Sequence, residues 1–164
     1  MQTLWAPWRM DYIKQEKPQG CIFCVFPAEE NDRENLILAR SAHSFAMFNR
    51  FPYNSGHLMV IPRRHVADFT GLPEAELTDL QRLLRLSVSV LGEDYRPEGM
   101  NIGMNLGKIA GAGIAEHLHW HVVPRWGGDT NFMPVIAETK VMVEHLCGAF
   151  DRLRPKFDAA LAKG

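Results

Sequence analysis

Three histidines recur at every second position, His117, His119 and His121, in the run His-Leu-His-Trp-His-Val-Val-Pro. Side chains of an extended chain alternate between two faces, so this spacing puts three imidazoles on one face and Leu118, Trp120 and Val122 on the other. Imidazole is neutral, nucleophilic and able to give or take a proton near neutral pH. A merely solvated strand face accounts for the pattern less well, because neighbouring imidazoles disfavour one another's protonation and offer little packing in return. A second constellation is Cys21-x-x-Cys24, with His65 downstream and the histidine cluster beyond. Two thiolates and two imidazoles complete a tetrahedral zinc site, and one Cys-x-x-Cys knuckle supplies half of it. A redox dithiol is the competing reading, against which stands the lack of a thioredoxin-like strand-to-helix context. Cys147, beside Leu146 and Phe150 in a helical pattern, is expected to be a packed core thiol.

The elements that must position these groups read as follows. Residues 1–20 form an arm carrying Trp5, Pro7, Trp8 and Tyr12, whose tryptophans must bury against their own domain or cover a partner or site. Asn35 to Arg40 and Ser44 to Asn49 read as strands around a short turn, and His57 to Ile61 as a third strand stopped by Pro62. Leu77, Leu80, Leu83, Leu84, Val88 and Leu91 predict an amphipathic helix from Pro73 to Gly92 or just beyond. Met100 to Leu106 and His119 to Pro124 are two further strands, separated by a loop of Gly107, Gly111, Ala112 and Gly113 that permits close backbone approach to a ligand. A terminal helix is expected over about 139–162, with Val143, Leu146 and Phe150 on one face and Pro155 as a kink or break. Strands grouped around one central and one C-terminal helix argue for an α+β fold built on an antiparallel, five-stranded-type sheet.

Composition bounds the function without naming it. The 164 residues carry 18 Lys+Arg against 19 Asp+Glu, a formal charge of −1, with 46% hydrophobic and 23% charged residues, the profile of one ordinary soluble domain. No basic excess advertises nucleic acid or an acidic membrane surface, so any anionic substrate must be held by local groups. The apolar runs are far shorter than a membrane span needs, and Met1 to Met10 lacks the pattern of a secretory signal, which places the protein in the cytoplasm.

The run His117-Leu118-His119-Trp120-His121-Val122-Val123 matches the His-x-His-x-His-x-x signature of the histidine triad (HIT) family of nucleotidyl hydrolases and transferases. Phe51 to His65, in particular Gly56-His57 and Pro62-Arg63-Arg64-His65, resembles the family's strand–turn–strand ending in a Pro-basic-basic-His step. Gly128-Asp129-Thr130-Asn131-Phe132 and Leu4-Trp5-Ala6-Pro7-Trp8-Arg9 resemble the branch of diadenosine tetraphosphate hydrolases and phosphorylases. Together these motifs cover most of residues 4–135.

The resemblance implies one HIT-like domain over 1–164, a homodimer in which two sheets join, and a nucleotide or dinucleoside polyphosphate as substrate. It makes His119 the nucleophile that attacks an α-phosphorus to form a nucleotidyl-histidine intermediate, and gives His121 the phosphoryl oxygens. It assigns one structural zinc per chain to Cys21, Cys24, His65 and His117, four protein ligands leaving no open position for water. It places Asn49 on the ribose hydroxyls and His57 beside the triad. Asn105, Lys108 and the main chain at Gly113 are the phosphate contacts expected from the residues themselves. Ile22, Phe23, Phe45, Met47 and Leu58 are candidates for an apolar base pocket, and Asp129 and Asn131 for closing the site. The chain departs from many family hydrolases just before the triad, where Gly111-Ala112-Gly113-Ile114-Ala115-Glu116 stands in place of a Gly-Gln-Ser/Thr stretch. The second-step acceptor therefore stays open between water, as in a hydrolase, and inorganic phosphate, as in a phosphorylase. A phosphoramidate hydrolase and a non-catalytic zinc-stabilised nucleotide binder complete the alternatives.

Overall fold

The computed structural model describes residues 20–131, 133, 136 and 141–163. The arm with Trp5 and Trp8, and Phe132, lie outside the described residues. In chain order the elements are α1 (Ile22–Ala28), β1 (Ile37–Arg40), β2 (Ser44–Phe48), β3 (Leu58–Pro62), α2 (Glu74–Tyr95), β4 (Gly99–Met104), a single 3₁₀ turn (Lys108–Ala110), β5 (Trp120–Arg125) and α3 (Leu146–Leu161). The five strands form one antiparallel sheet in the order β1-β2-β3-β5-β4, the expected α+β architecture. Among the described residues no helix is long and apolar enough to cross a membrane.

Burial is two-sided at the centre of the sheet. β2 and β3 are buried along their whole length, which is why Ser-Phe-Ala-Met-Phe and Leu-Met-Val-Ile-Pro read as nearly continuous apolar runs. Ala46, Phe48, Leu58, Val60 and Val122 face α2 and α3, where they pack against Leu80, Leu83, Leu91, Leu153 and Phe157. Phe45, Met47, Met59 and Ile61 face the other way, with Ile37 and with Phe23 of α1. Leu58 therefore belongs to the helix-covered face and is no part of a base pocket, since its register partner is Val122, not a histidine.

Of the two long helices, α2 ends just beyond Gly92 as expected, whereas α3 departs from expectation. α2 continues through Gly92 to Tyr95, with Arg96 taking the left-handed conformation that ends it. Its buried stripe includes Ser87 and Val90, Ser87 returning its hydroxyl to the Leu83 carbonyl. α3 begins at Leu146, not near 139: His145 is extended and its Nδ1 accepts the Cys147 N–H, which caps the helix there. Val143 is 86% exposed and off the core face, which is made by Ala149, Phe150, Leu153 and Phe157. Cys147 is half-buried in the first turn of α3, so it is not a core thiol. Pro155 does not break the helix, which runs through it to Leu161 with Leu153 and Phe157 buried on either side. Arg154 ties α3 to Asp32, ahead of β1, at 2.8 Å and to the Ile37 carbonyl at the start of β1 at 3.1 Å.

The turn between β2 and β3 is seated tightly. Gly56 has φ +78°, and a Cβ there would lie 3.0 Å from the Tyr95 ring and 3.1 Å from Pro124 Cγ. Backbone strain and overpacking act together at such a position, so Gly56→Ala is expected to lower the unfolding free energy by about 1–3 kcal/mol. Urea unfolding of the two proteins checks this; equal midpoints would show that the turn has room to adjust.

Candidate active site and metal-binding cluster

β5 runs between β3 and β4, with His121 paired to Met59 on one side and Gly103 on the other. The chain enters this strand through His117 and His119, both nearly buried, and the Leu118 N–H donates to the Val66 carbonyl at 2.8 Å. The rings of His119 and His121 lie 5.0 Å apart, centroid to centroid. The alternation read from the sequence thus holds, with Leu118 and Val122 buried on the opposite side.

Each histidine of the triad has its tautomer fixed by a partner. A carbonyl can only accept, so a ring nitrogen facing one carries the hydrogen. His117 donates from Nε2 to the Pro62 carbonyl at 2.8 Å, which leaves the Nδ1 lone pair toward the cysteines. His119 donates from Nδ1 to the His117 carbonyl at 2.9 Å, which leaves its Nε2 with a free pair for nucleophilic attack. The Tyr53 N–H donates to Nδ1 of His57 at 3.0 Å, so His57 must donate from Nε2 to Nδ1 of His121, 2.9 Å away. His121 then carries its hydrogen on Nε2, as a donor for an anionic oxygen.

The metal-type donors converge at the other end of the triad. The ligand atoms of Cys21, Cys24, His65 and His117 all lie within 4.8 Å of one another. Cys21 Sγ is 3.4 Å and Cys24 Sγ 3.6 Å from Nδ1 of His117, and Cys24 Sγ is 3.4 Å from Nδ1 of His65. Two soft thiols and two imidazoles suit a tetrahedral cation such as zinc, and the carbonyl behind His117 is the outer partner that orients such a ligand. Burial, then the neighbouring Cys21, holds the Cys24 thiol above its ordinary pKa, a cost that a bound cation would reverse. The Cys-x-x-Cys segment is not a simple knuckle: Cys21 is the N-cap of α1 and Cys24 lies in its first turn. Phe23, between them, is buried against both His117 and His119, at 5.4 and 5.1 Å between ring centroids.

Beside His121 opens a cavity of about 460 Å³, lined by Tyr53, Asn54, Asn101, Gly103, Asn105 and Arg125 among others. A Cβ on Gly103 would meet nothing within 4 Å, so glycine there adds open space to the site. Of the expected nucleotide contacts, Asn105 stands on this wall. His57 is fully buried and takes a place behind His121, not on the cavity surface. Asn49, after the end of β2, has its Oδ1 occupied by the Phe51 N–H at 2.8 Å. Lys108 and Gly113 are exposed on the glycine-rich loop and do not line the cavity. Phe45 and Met47 are closed core residues, and Asp129 accepts from Asn54, Arg125 and the Trp126 N–H. Tyr53, Asn54, Asn101 and Arg125 escaped the sequence reading. Period two along β4 would have found Asn101, two residues before Gly103 and four before Asn105.

The HIT domain family matches residues 30–128, and the chain belongs to that family. AP-4-A phosphorylase of Mycobacterium tuberculosis (strain H37Rv) is 40% identical over 154 residues, covering 89% of this chain and 79% of its own length. Bis(5'-adenosyl)-triphosphatase of Dictyostelium discoideum is 34% identical over 93 residues, covering 57% of this chain and 62% of its own. Among solved structures, a Zn-bound histidine triad family protein from Mycobacterium smegmatis superposes with a TM-score of 0.67 at 25% identity, over 88% of this chain and 94% of that one.

The environment of the triad has a pH signature. Burial, with a smaller push from His119, brings His121 down from its ordinary value of 6.5 to about 4. Between those values the unfolded chain takes up a proton that the folded site refuses, so the stability due to this group is complete above about pH 6.5 and is lost as pH falls toward 4. The thermal midpoint is expected to drop more steeply over that interval in the wild type than in His121→Asn; parallel curves would acquit His121.

Proposed function

We propose that the protein cleaves dinucleoside polyphosphates, diadenosine tetraphosphate foremost, by nucleotidyl transfer through His119. The observation that carries this reading is the 2.9 Å hydrogen bond from His119 Nδ1 to the His117 carbonyl, which leaves Nε2 as the nucleophile beside a donor on His121. In the first step the Nε2 pair forms a bond to the α-phosphorus and the bond to the bridging oxygen of the leaving nucleotide breaks. In the second an acceptor oxygen attacks the same phosphorus and the P–N bond breaks, returning the electron pair to His119. The Nε2–H of His121 serves the phosphoryl oxygens as charge develops on them. Asn105 reaches the phosphates from just beyond β4, whereas Asn49, Lys108 and Gly113 serve as a more peripheral set of contacts to ribose and phosphate.

Inorganic phosphate as acceptor is the favoured reading, supported by the 40% identity to AP-4-A phosphorylase and by the glycine-rich loop that replaces polar side chains before His117. Water as acceptor is the second reading, supported by the likeness to bis(5'-adenosyl)-triphosphatase. Cys21, Cys24, His65 and His117 hold one zinc per chain, which would supply a structural cross-link at the entry to the triad. The protein works in the cytoplasm as a homodimer.

Incubation with diadenosine tetraphosphate separates the readings. ADP and ATP formed only with phosphate support the phosphorylase, AMP and ATP without phosphate the hydrolase, and no products would leave a nucleotide binder. His119→Asn is expected to lose about a thousandfold or more in turnover, and wild-type rates in that variant would remove the nucleophile. Elemental analysis is expected to give one zinc per chain in the wild type and none in Cys24→Ala; equal zinc in both would overturn the ligand set.

A further inference from the structure

The donor state of His121 depends on a turn that lies outside the triad. The Tyr53 amide holds Nδ1 of His57 as an acceptor, and His57 in turn holds Nδ1 of His121 as an acceptor. What fastens that turn to β5 is Asn54, a polar residue only 7% exposed. Its side-chain nitrogen donates to the Pro124 carbonyl at 3.0 Å and to Asp129 Oδ2 at 2.8 Å, so both hydrogens of one buried amide are spent on acceptors in β5 and the turn after it. The Asn54 carbonyl accepts the His57 N–H at 3.1 Å. Asp129 is braced by Arg125 Nε at 2.6 Å and by the Trp126 N–H at 3.3 Å. Closing a turn needs no such fastening, and a buried side-chain amide is retained at a cost unless its bonds are all made.

We propose that Asn54, braced by Asp129, is a positioning residue for His121. The pair fixes where the Tyr53 amide points; that fixes the tautomer of His57, and through it keeps the hydrogen of His121 on Nε2. Released from the clamp, His57 exchanges its hydrogen between two nitrogens of similar basicity, and His121 presents a lone pair to an anion for part of the time. The proposal rests on the functional reading above only in assigning His121 to phosphoryl oxygens; the tautomer itself is a property of the resting protein.

The test uses the full zinc-loaded chain, with long-range ¹H–¹⁵N spectra of the imidazoles reporting which nitrogen carries the hydrogen. His57 and His121 are expected as Nε2–H in the wild type and as averaged tautomers in Asn54→Ala. In the same variant kcat is expected to fall about ten- to a hundredfold with KM changed less than about twofold. Asn54→Ala that is folded and keeps wild-type imidazole signals overturns the proposal. If that variant does not fold, Asp129→Ala, which keeps the Asn54–Pro124 bond, carries the same expectation and the same overturning result. Averaged tautomers in a protein whose wild type cleaves no dinucleoside polyphosphate would sink the functional reading and support the positioning role.

Discussion

The hydrogen bond from His119 to the carbonyl of His117 is the constraint around which the molecule is arranged. An imidazole attacks only through the nitrogen without a hydrogen, and a carbonyl leaves no choice as to which nitrogen that is. Because donor and acceptor are two residues apart in an extended chain, the reactive tautomer becomes a property of the main chain. Fixing the main chain at His117 is then the structural task. The His117 ring does this twice, with Nδ1 among the thiols of α1 and Nε2 on the carbonyl of Pro62, where β3 ends. The sheet order that puts β3 beside β5 exists in part to bring that carbonyl there.

Charge is handled locally. His117 and His119 are buried and His121 is half-buried, and burial above all lowers the pKa of His117 and His121 from the ordinary value. Arg125, the guanidinium on the cavity wall, is paired to Asp129 and bonded to Asn101. The site thus offers an anion directed hydrogen bonds from uncharged rings and amides, consistent with a chain whose formal charge is only −1.

Much of this was legible because periodicity and residue type carried it. The two-residue spacing of His117, His119 and His121 implied a common face, and Cys21, Cys24, His65 and His117 had the chemistry of a single donor set that the fold does bring together. The misreadings share a cause, that local pattern does not reveal tertiary partners. α1 is too short, and interrupted by Pro27, to show a helical period, so its cysteines looked like a turn. Leu58 looked like a pocket residue until its register with Val122 set its face. The onset of α3 turned on a single cap at His145. The Tyr53 amide could not be anticipated at all, because every residue except proline has one.

Phe23 adds a mechanical consequence. Its ring is 2% exposed and rests against both His117 and His119, while its own helix presents the two thiols. The donor cluster and the His119 ring are therefore joined by two separate members, the peptide chain from His117 to His119 and the aromatic contact through α1. A single link acts as a hinge and lets one end swing about the other; a second, independent link braces it. The Phe23 ring thus ties the placement of α1 to that of both histidine rings.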